Sequence, residues 1–302
     1  MKIGIMGSGA VGSFFGSFLS EAGHDVRYIA RGAHLAKMNK NGLVINRENE
    51  KITIYETFSE SVETLADCEL ILFCVKSGDT REIANQLNKV IHKSAYVMTL
   101  QNGVSNEETL VEVIGEDRVL SAAVYVQASV ESPGIIKQSG RHKLVIGSLS
   151  EGSHDAAITF SSLLNEAQIP TDWSEQIMLR KWKKYLFTLV FNPLSAATDK
   201  TIGQILDDPQ LREVAWMIGL EAIEIAGLDG YPLNEDDIET AFQNAEYART
   251  HMTSMLQDIR NRKVTEAGEL VGYLINRAKV HDKSINAVKT IYLLLKSIEK
   301  NF

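Results

Sequence analysis

The most constraining feature of this chain lies at its start. A short apolar run, Lys2–Met6, meets Gly7-Ser8-Gly9-Ala10-Val11-Gly12, and a helical pattern follows to about Ala22. A strand that turns so tightly into a helix needs positions without a Cβ. The first glycine makes the turn, the second lets backbone approach a pyrophosphate, and the third lets helix and strand touch. The helix start then offers unpaired N–H groups and a positive dipole end to an anion. Such a βα unit calls for a parallel neighbour.

The neighbours follow along the chain. Val26–Ile29 reads as a second strand after Gly23. Leu70–Val75 is a continuous apolar run, the mark of a strand buried on both faces. A helix to about Ile91 and a strand at Ala95–Leu100 follow, with further strands at Leu120–Val126, Gly134–Gln138 and Lys143–Ile146. This alternation predicts an α/β domain with a doubly wound, mostly parallel sheet. From about Glu175 the pattern changes. Helical periodicity fills 176–198, 209–227, 235–260, 266–280 and 284–299, with Pro170 and Asp172-Trp173 at the transition. The expectation is an N-terminal α/β domain over 1–172 and an all-α domain over 173–302, closely joined, with a ligand cleft between them.

Composition removes several alternatives. The 302 residues are 44% hydrophobic and 23% charged, a globular balance rather than a disordered one. Acidic residues outnumber basic ones, 39 to 31, for a net charge of −8, which disfavours a nucleic-acid partner. No apolar run reaches about 18 residues, so no membrane span is expected, and the glycines interrupt any signal-peptide core. Two cysteines, Cys68 and Cys74, are too few for a disulfide framework. They read as reduced structural residues of a cytoplasmic protein. The histidines form no metal-ligand spacing, so no metal is expected.

Strand ends carry the candidate chemistry, because open α/β sheets bind ligands beyond the carboxyl ends of their strands. After Tyr28-Ile29 come Ala30, Arg31 and Gly32. An acid there would bind the 2′-hydroxyl of NAD, whereas Arg31 suits the 2′-phosphate of NADP. Lys76 follows the second buried strand, and Gln101-Asn102-Gly103 the third; either could be a plain loop. In the second half, Lys184, Thr188 and Asn192 stand at i, i+4 and i+8, within about 80° on a helical wheel. This polar stripe in an apolar helix suggests a site lining. Lys183 points elsewhere and is expected in solvent, and Lys181 in solvent or at a rim. Ser254 and Asp258 share a helix face, and Glu266 opens the next helix, a position that often only complements the dipole.

Taken together, GSGAVG at 7–12, Arg31, VK at 75–76, QNG at 101–103, W-x-K at 182–184, NPL at 192–194 and SMLQDIR…TE at 254–266 resemble the ketopantoate reductase (2-dehydropantoate 2-reductase) family over essentially the whole chain. The resemblance implies a Rossmann N-domain, a helical C-domain and NADPH-dependent reduction of ketopantoate to (R)-pantoate, a step toward pantothenate and coenzyme A. It assigns catalysis to Lys184 and Glu266. It assigns the cofactor to Gly7, Ser8, Gly9, Ala10, Val11, Gly12, Arg31, Lys76, Asn102 and Glu266, with a backbone contact near Val130. The substrate falls to Asn102, Lys184, Thr188, Asn192 and Ser254. Two positions depart from the family pattern, since Thr188 and His251 each stand where an Asn is expected. A hydroxyl cannot reproduce both the donor and the acceptor of an amide in one geometry. The alternatives are therefore a reductase of another 2-oxo acid on the same fold, or a non-catalytic NADPH-binding regulator. The expected partner is a small 2-oxo acid, and a homodimer is an open option for assembly.

Overall fold

The computed structural model describes residues 1–48, 50–250 and 252–302, so His251 lies outside the described residues. The chain divides into two compact units, one of residues 1–102 and 106–177, the other of 103–105 and 178–302.

The first unit is built on one sheet. In chain order its elements are β1 (Lys2–Met6), α1 (Ala10–Glu21), β2 (Asp25–Ile29), α2 (Gly32–Asn41), β3 (Leu43–Arg47), β4 (Glu50–Ile54), β5 (Thr57–Ser59), β6 (Leu70–Phe73), α3 (Thr80–Asn88), β7 (Tyr96–Thr99), α4 (Asn106–Ile114), β8 (Val119–Ser132), β9 (Ile135–Ser148), α5 (His154–Glu166) and β10 (Thr171–Trp173). The strand order is β4-β3-β9-β8-β7-β6-β1-β2-β5, with β10 beside β9. The β3–β4 and β8–β9 pairs are antiparallel, and the other pairings are parallel. The doubly wound, mostly parallel sheet expected from the alternation is therefore present. β6 is fully buried on both faces, as a continuous apolar run requires. β2 lies on one side of β1 and β6 on the other. This reversal is the switch point at which such sheets leave a crevice.

Several elements differ from the sequence expectation. β3, β4, β5 and β10 are short edge or peripheral strands, and α2 carries little apolar periodicity. The three strands expected between 120 and 146 are one long hairpin, β8 and β9, turning at Pro133-Gly134 with Gly134 at φ +81°. Its two register shifts, near Tyr125 and Val130, break the alternation that would have marked a continuous strand.

The second unit is helical: α6 (Ile177–Thr198), α7 (Ile202–Asp207), α8 (Pro209–Leu228), α9 (Glu235–Glu246), α10 (Ser254–Arg260), α11 (Ala267–Val280) and α12 (Asn286–Glu299). The helix expected over 235–260 is two helices. Thr253 caps α10, accepting the Leu256 N–H at 3.2 Å, and so starts a new helix. α6 supplies the centre of the core. Trp182, Tyr185, Leu186, Leu189, Val190 and Phe191 are all buried, so this helix is surrounded on nearly every side.

Asp229, after α8, is 5% exposed and receives Arg277 Nε of α11 at 2.8 and 3.0 Å and His281 Nε2 at 2.6 Å. These bonds hold its carboxyl below the usual range although burial opposes them. Asp229→Ala is expected to lower the unfolding free energy by roughly 1.5–3 kcal/mol, the worth of hydrogen bonds to a charged group. Urea unfolding followed by circular dichroism measures it.

Candidate functional site

The glycine turn after β1 is pinned from both sides. The Ser8 N–H donates to the Ile29 carbonyl of β2 at 2.8 Å, and the Cys74 N–H after β6 donates to the Met6 carbonyl at 2.8 Å. Gly7 has φ +98°, and a Cβ there would stand 2.9 Å from the Cys74 carbonyl carbon. On Gly12 a Cβ would stand 2.5 Å from the Gly7 carbonyl oxygen, whereas on Gly9 it would meet no atom within 4 Å. Gly7 and Gly12 thus serve the packing of strand and helix, and Gly9 keeps open space in front of the α1 N-terminus. Ser8 is 3% exposed, its Oγ has no hydrogen-bond partner, and its carbonyl is held by Ser13 Oγ at 2.9 Å. The first-turn N–H groups of Ala10, Val11 and Gly12 have no intrahelical acceptor. Open space, a buried unsatisfied hydroxyl and a helix N-terminus fit a pyrophosphate.

The ends of the neighbouring strands carry the other first-unit candidates. Arg31 leads into α2 with an 81% exposed side chain, and its Nη2 lies 3.4 Å from Asp79 Oδ2. The sequence shows no acid beside Arg31, but the turn after β6 brings one there. Lys76 and Asn102 follow β6 and β7, and a buried polar network sets their turns. Gln101 Nε2 donates to the Val75 carbonyl at 3.0 Å and to Thr80 Oγ1 at 2.8 Å. Thr80 Oγ1 donates to Asn106 Oδ1 at 2.9 Å, and Asn106 Nδ2 donates to the Asn102 carbonyl at 2.9 Å. Gln101, Thr80 and Asn106 were missed as positioning groups because their pairing spans 21 to 26 residues of chain. Val130 is exposed near the hairpin tip, well beyond the stretch of β8 that borders β7.

In the second unit, α6 carries Lys184, Thr188 and Asn192. Lys184 retains some exposed surface, yet its ammonium is desolvated. Burial, aided by the nearby Lys181 cation, pulls its pKa from 10.5 down to about 7. Lys181 is only 3% exposed, which overturns the expectation of a solvated or rim position. A helix enclosed on nearly every side leaves no solvent face at that angle. Lys183 is the lysine that reaches out, pairing with Asp237 at 2.7 Å. Thr188 is 9% exposed and its hydroxyl donates to the Lys184 carbonyl at 3.2 Å, so its proton serves the helix. Ser254 is the exposed first residue of α10, and partly buried Glu266 stands at the N-cap position of α11 without a side-chain capping bond. The Tyr185 hydroxyl ties α6 to α11 through the Leu270 carbonyl, and Arg260 ties α10 to Asp199 at the end of α6 at 2.7 Å.

These features define a dinucleotide-binding α/β protein with a helical second unit that holds a perturbed lysine. Family profiles described as ketopantoate reductase PanE/ApbA and its C-terminal part match residues 3–151 and 176–299. The chain is 31% identical over 282 residues to a 2-dehydropantoate 2-reductase of Pyrococcus horikoshii, covering 93% of this chain and 91% of that one. A crystal structure of a PanE/ApbA family ketopantoate reductase from Ralstonia eutropha JMP134 superimposes with a TM-score of 0.93 at 29% identity, covering 100% and 99% of the two chains. A D-mandelate dehydrogenase structure with NADH and anilino(oxo)acetate shares the fold, with a TM-score of 0.94 at 22% identity and the same coverage. This chain belongs to the ketopantoate reductase family and is a nicotinamide-dependent oxidoreductase. Among the described residues no helix is long and apolar enough to cross a membrane.

The contrast between Gly9 and Gly12 is testable. Gly9→Ala is expected to leave the unfolding free energy within about 0.5 kcal/mol of wild type while weakening nicotinamide-cofactor binding at least about tenfold, or 1.4 kcal/mol. Gly12→Ala is expected to cost about 1–3 kcal/mol of stability through backbone overlap. Thermal melts beside cofactor-fluorescence titrations separate the two.

Proposed function

We propose that the protein reduces ketopantoate to (R)-pantoate with NADPH, on the route to pantothenate and coenzyme A. The feature that carries this reading is Lys184 on the buried central helix of the second unit, where burial and the Lys181 cation push its ammonium down toward about 7. A general acid works best when its pKa lies near the operating pH. In this reading residues 1–172 carry the cofactor and 173–302 the substrate chemistry. Gly7 to Gly12 hold the pyrophosphate, Arg31 the 2′-phosphate, and Lys76, Asn102 and the backbone near Val130 the remainder of the cofactor. NADPH supplies the hydride when bound. Lys184 holds the ketone oxygen as negative charge develops there and donates its proton to it. Glu266 orients Lys184 or accepts a substrate hydroxyl, and also borders the cofactor. Asn102, Asn192 and Ser254 position the carboxylate and hydroxyl groups.

Thr188 favours a second reading, reduction of a different 2-oxo acid. Its hydroxyl proton is committed to the helix, so the position offers a substrate an acceptor more readily than a donor. A panel of 2-oxo acids compared by kcat/KM decides between them: ketopantoate as the best substrate supports the first reading, and another acid the second. Should Thr188→Asn sharply lower turnover of ketopantoate while ketopantoate is still the best substrate, this picture of position 188 fails.

Lys184→Ala is expected to lower kcat by about 100- to 10,000-fold with NADPH binding retained, and Lys183→Ala to change kcat little. Because the acid must carry its proton, the wild-type reduction rate should fall as pH rises through about 7. Lys181→Met removes a neighbouring cation and should move that fall to higher pH. A limb that stays in place removes Lys181 from the tuning of Lys184. For the cofactor, Arg31→Ala is expected to weaken NADPH about 10- to 100-fold, the worth of a charge-assisted phosphate contact, with little change for NADH. Equal losses for both cofactors would remove Arg31 from 2′-phosphate recognition.

A further inference from the structure

The end of α12 reaches back to the residue that precedes Glu266. Glu299 Oε1 accepts the Thr265 N–H at 2.9 Å and the Thr265 hydroxyl at 2.6 Å. The Thr265 hydroxyl oxygen in turn accepts the Ala267 N–H at 3.1 Å. The residues on both sides of Glu266 are therefore gripped by one chain of bonds. Lys296, one turn earlier on α12, pairs with the other carboxylate oxygen, Oε2. Thr265 is 6% exposed and Glu299 9% exposed, so water competes little for these contacts. The other end of α12 is anchored as well. Glu221 of α8 accepts the Ala287 and Val288 N–H groups at 2.9 and 2.8 Å. The helix that carries Glu299 is thus fixed at both ends.

We propose that Glu299 is a positioning residue for Glu266, holding the Thr265 backbone so that the Glu266 carboxylate is presented in one orientation. The proposal rests on the reading that Glu266 serves in the active site. A carboxylate is an expensive group to bury, and a well-packed apolar side chain would fill the same place at less cost. What the carboxylate adds is a charged acceptor whose bonds to N–H and O–H are shorter and stronger than neutral ones. The stretch it grips connects α10 to α11, and it starts from Arg262 at φ +51°, which closes the end of α10 with the Lys263 N–H donating to the Asp258 carbonyl at 2.9 Å. The bonds from Lys296 and Thr265 hold the Glu299 carboxyl below its usual range, so the grip persists into mildly acidic solution.

The test is a double-mutant cycle on the full-length enzyme, read by steady-state kinetics with ketopantoate and NADPH, NADPH fluorescence titration and thermal melting. Glu299→Ala removes both acceptors. It is expected to lower kcat/KM about 10- to 100-fold, the usual cost of a misplaced group at a reacting centre, with NADPH affinity weakened no more than in Glu266→Ala. Glu299→Gln keeps a carbonyl acceptor for Thr265 and should restore most of the activity. In a Glu266→Ala background, Glu299→Ala should cost little more, because its effect passes through Glu266. A full multiplicative loss in that background would overturn the proposal. So would a Glu299→Ala enzyme with wild-type kcat/KM beside a damaged Glu266→Ala enzyme. If Glu266→Ala itself retains wild-type activity, the reading of Glu266 fails, and the proposal with it. Should Glu299→Ala fail to fold, Thr265→Val cuts the same chain at the hydroxyl. It should then give a smaller loss of kcat/KM that also vanishes in the Glu266→Ala background, and persistence of that loss would overturn the proposal.

Discussion

An ammonium group desolvated on a buried helix is costly, and α6 of the second unit carries that cost. α6 buries its own Trp182, Tyr185, Leu186, Leu189, Val190 and Phe191, yet it also holds Lys181 and Lys184 one turn apart. Burial and a like charge both disfavour the protonated form, which brings Lys184 from 10.5 to about 7. The sign of the coupling to stability follows. Between about 7 and 10.5 the unfolded chain binds more protons than the folded one, so stability rises with pH across that window. The charged lysine is strained in the sense that folding is most penalised below pH 7. A group held in this way gives up its proton readily, which suits an acid facing a developing alkoxide. The rest of the unit supplies rigidity, through capped helices and the Asp229–Arg277–His281 cluster, against which the penalty is set.

The first unit meets a different physical demand. A pyrophosphate needs donors without a side chain in the way, and backbone supplies them only where the turn is held from outside. Bonds from β2 and β6 fix the glycine turn, and the network of Gln101, Thr80 and Asn106 fixes the two strand ends beside it. The same construction brings Asp79 against Arg31, so a 2′-phosphate at Arg31 would meet a neighbouring carboxylate.

Legibility in the sequence followed the range of the interaction. The glycine motif, the buried run of β6 and the helical periodicity of α6, α8, α11 and α12 are local patterns, and they led to the doubly wound, mostly parallel sheet and to the helical second unit. That Lys184, Thr188 and Asn192 share one helix was legible because their spacing is a property of that helix. Lys181 was misread because a helical wheel gives direction but not what lies in that direction. The break between α9 and α10 was missed because Thr253 acts as a cap only once the chain has turned. Asp79, Asn106 and Glu299 were missed because their partners lie 26 to 48 residues away, where no pattern in the chain joins them.

The central claim is that Lys184 loses its proton near neutrality because the fold desolvates it. The most direct measurement is carbon-13 NMR of the protein labelled at the lysine ε-carbons, titrated from pH 5 to 11, with Lys184→Arg to assign the resonance. The account expects one lysine signal to titrate near pH 7 and to be absent from the variant. If every lysine signal instead titrates near the ordinary value of about 10.4, the acid is not tuned by burial and the account is wrong.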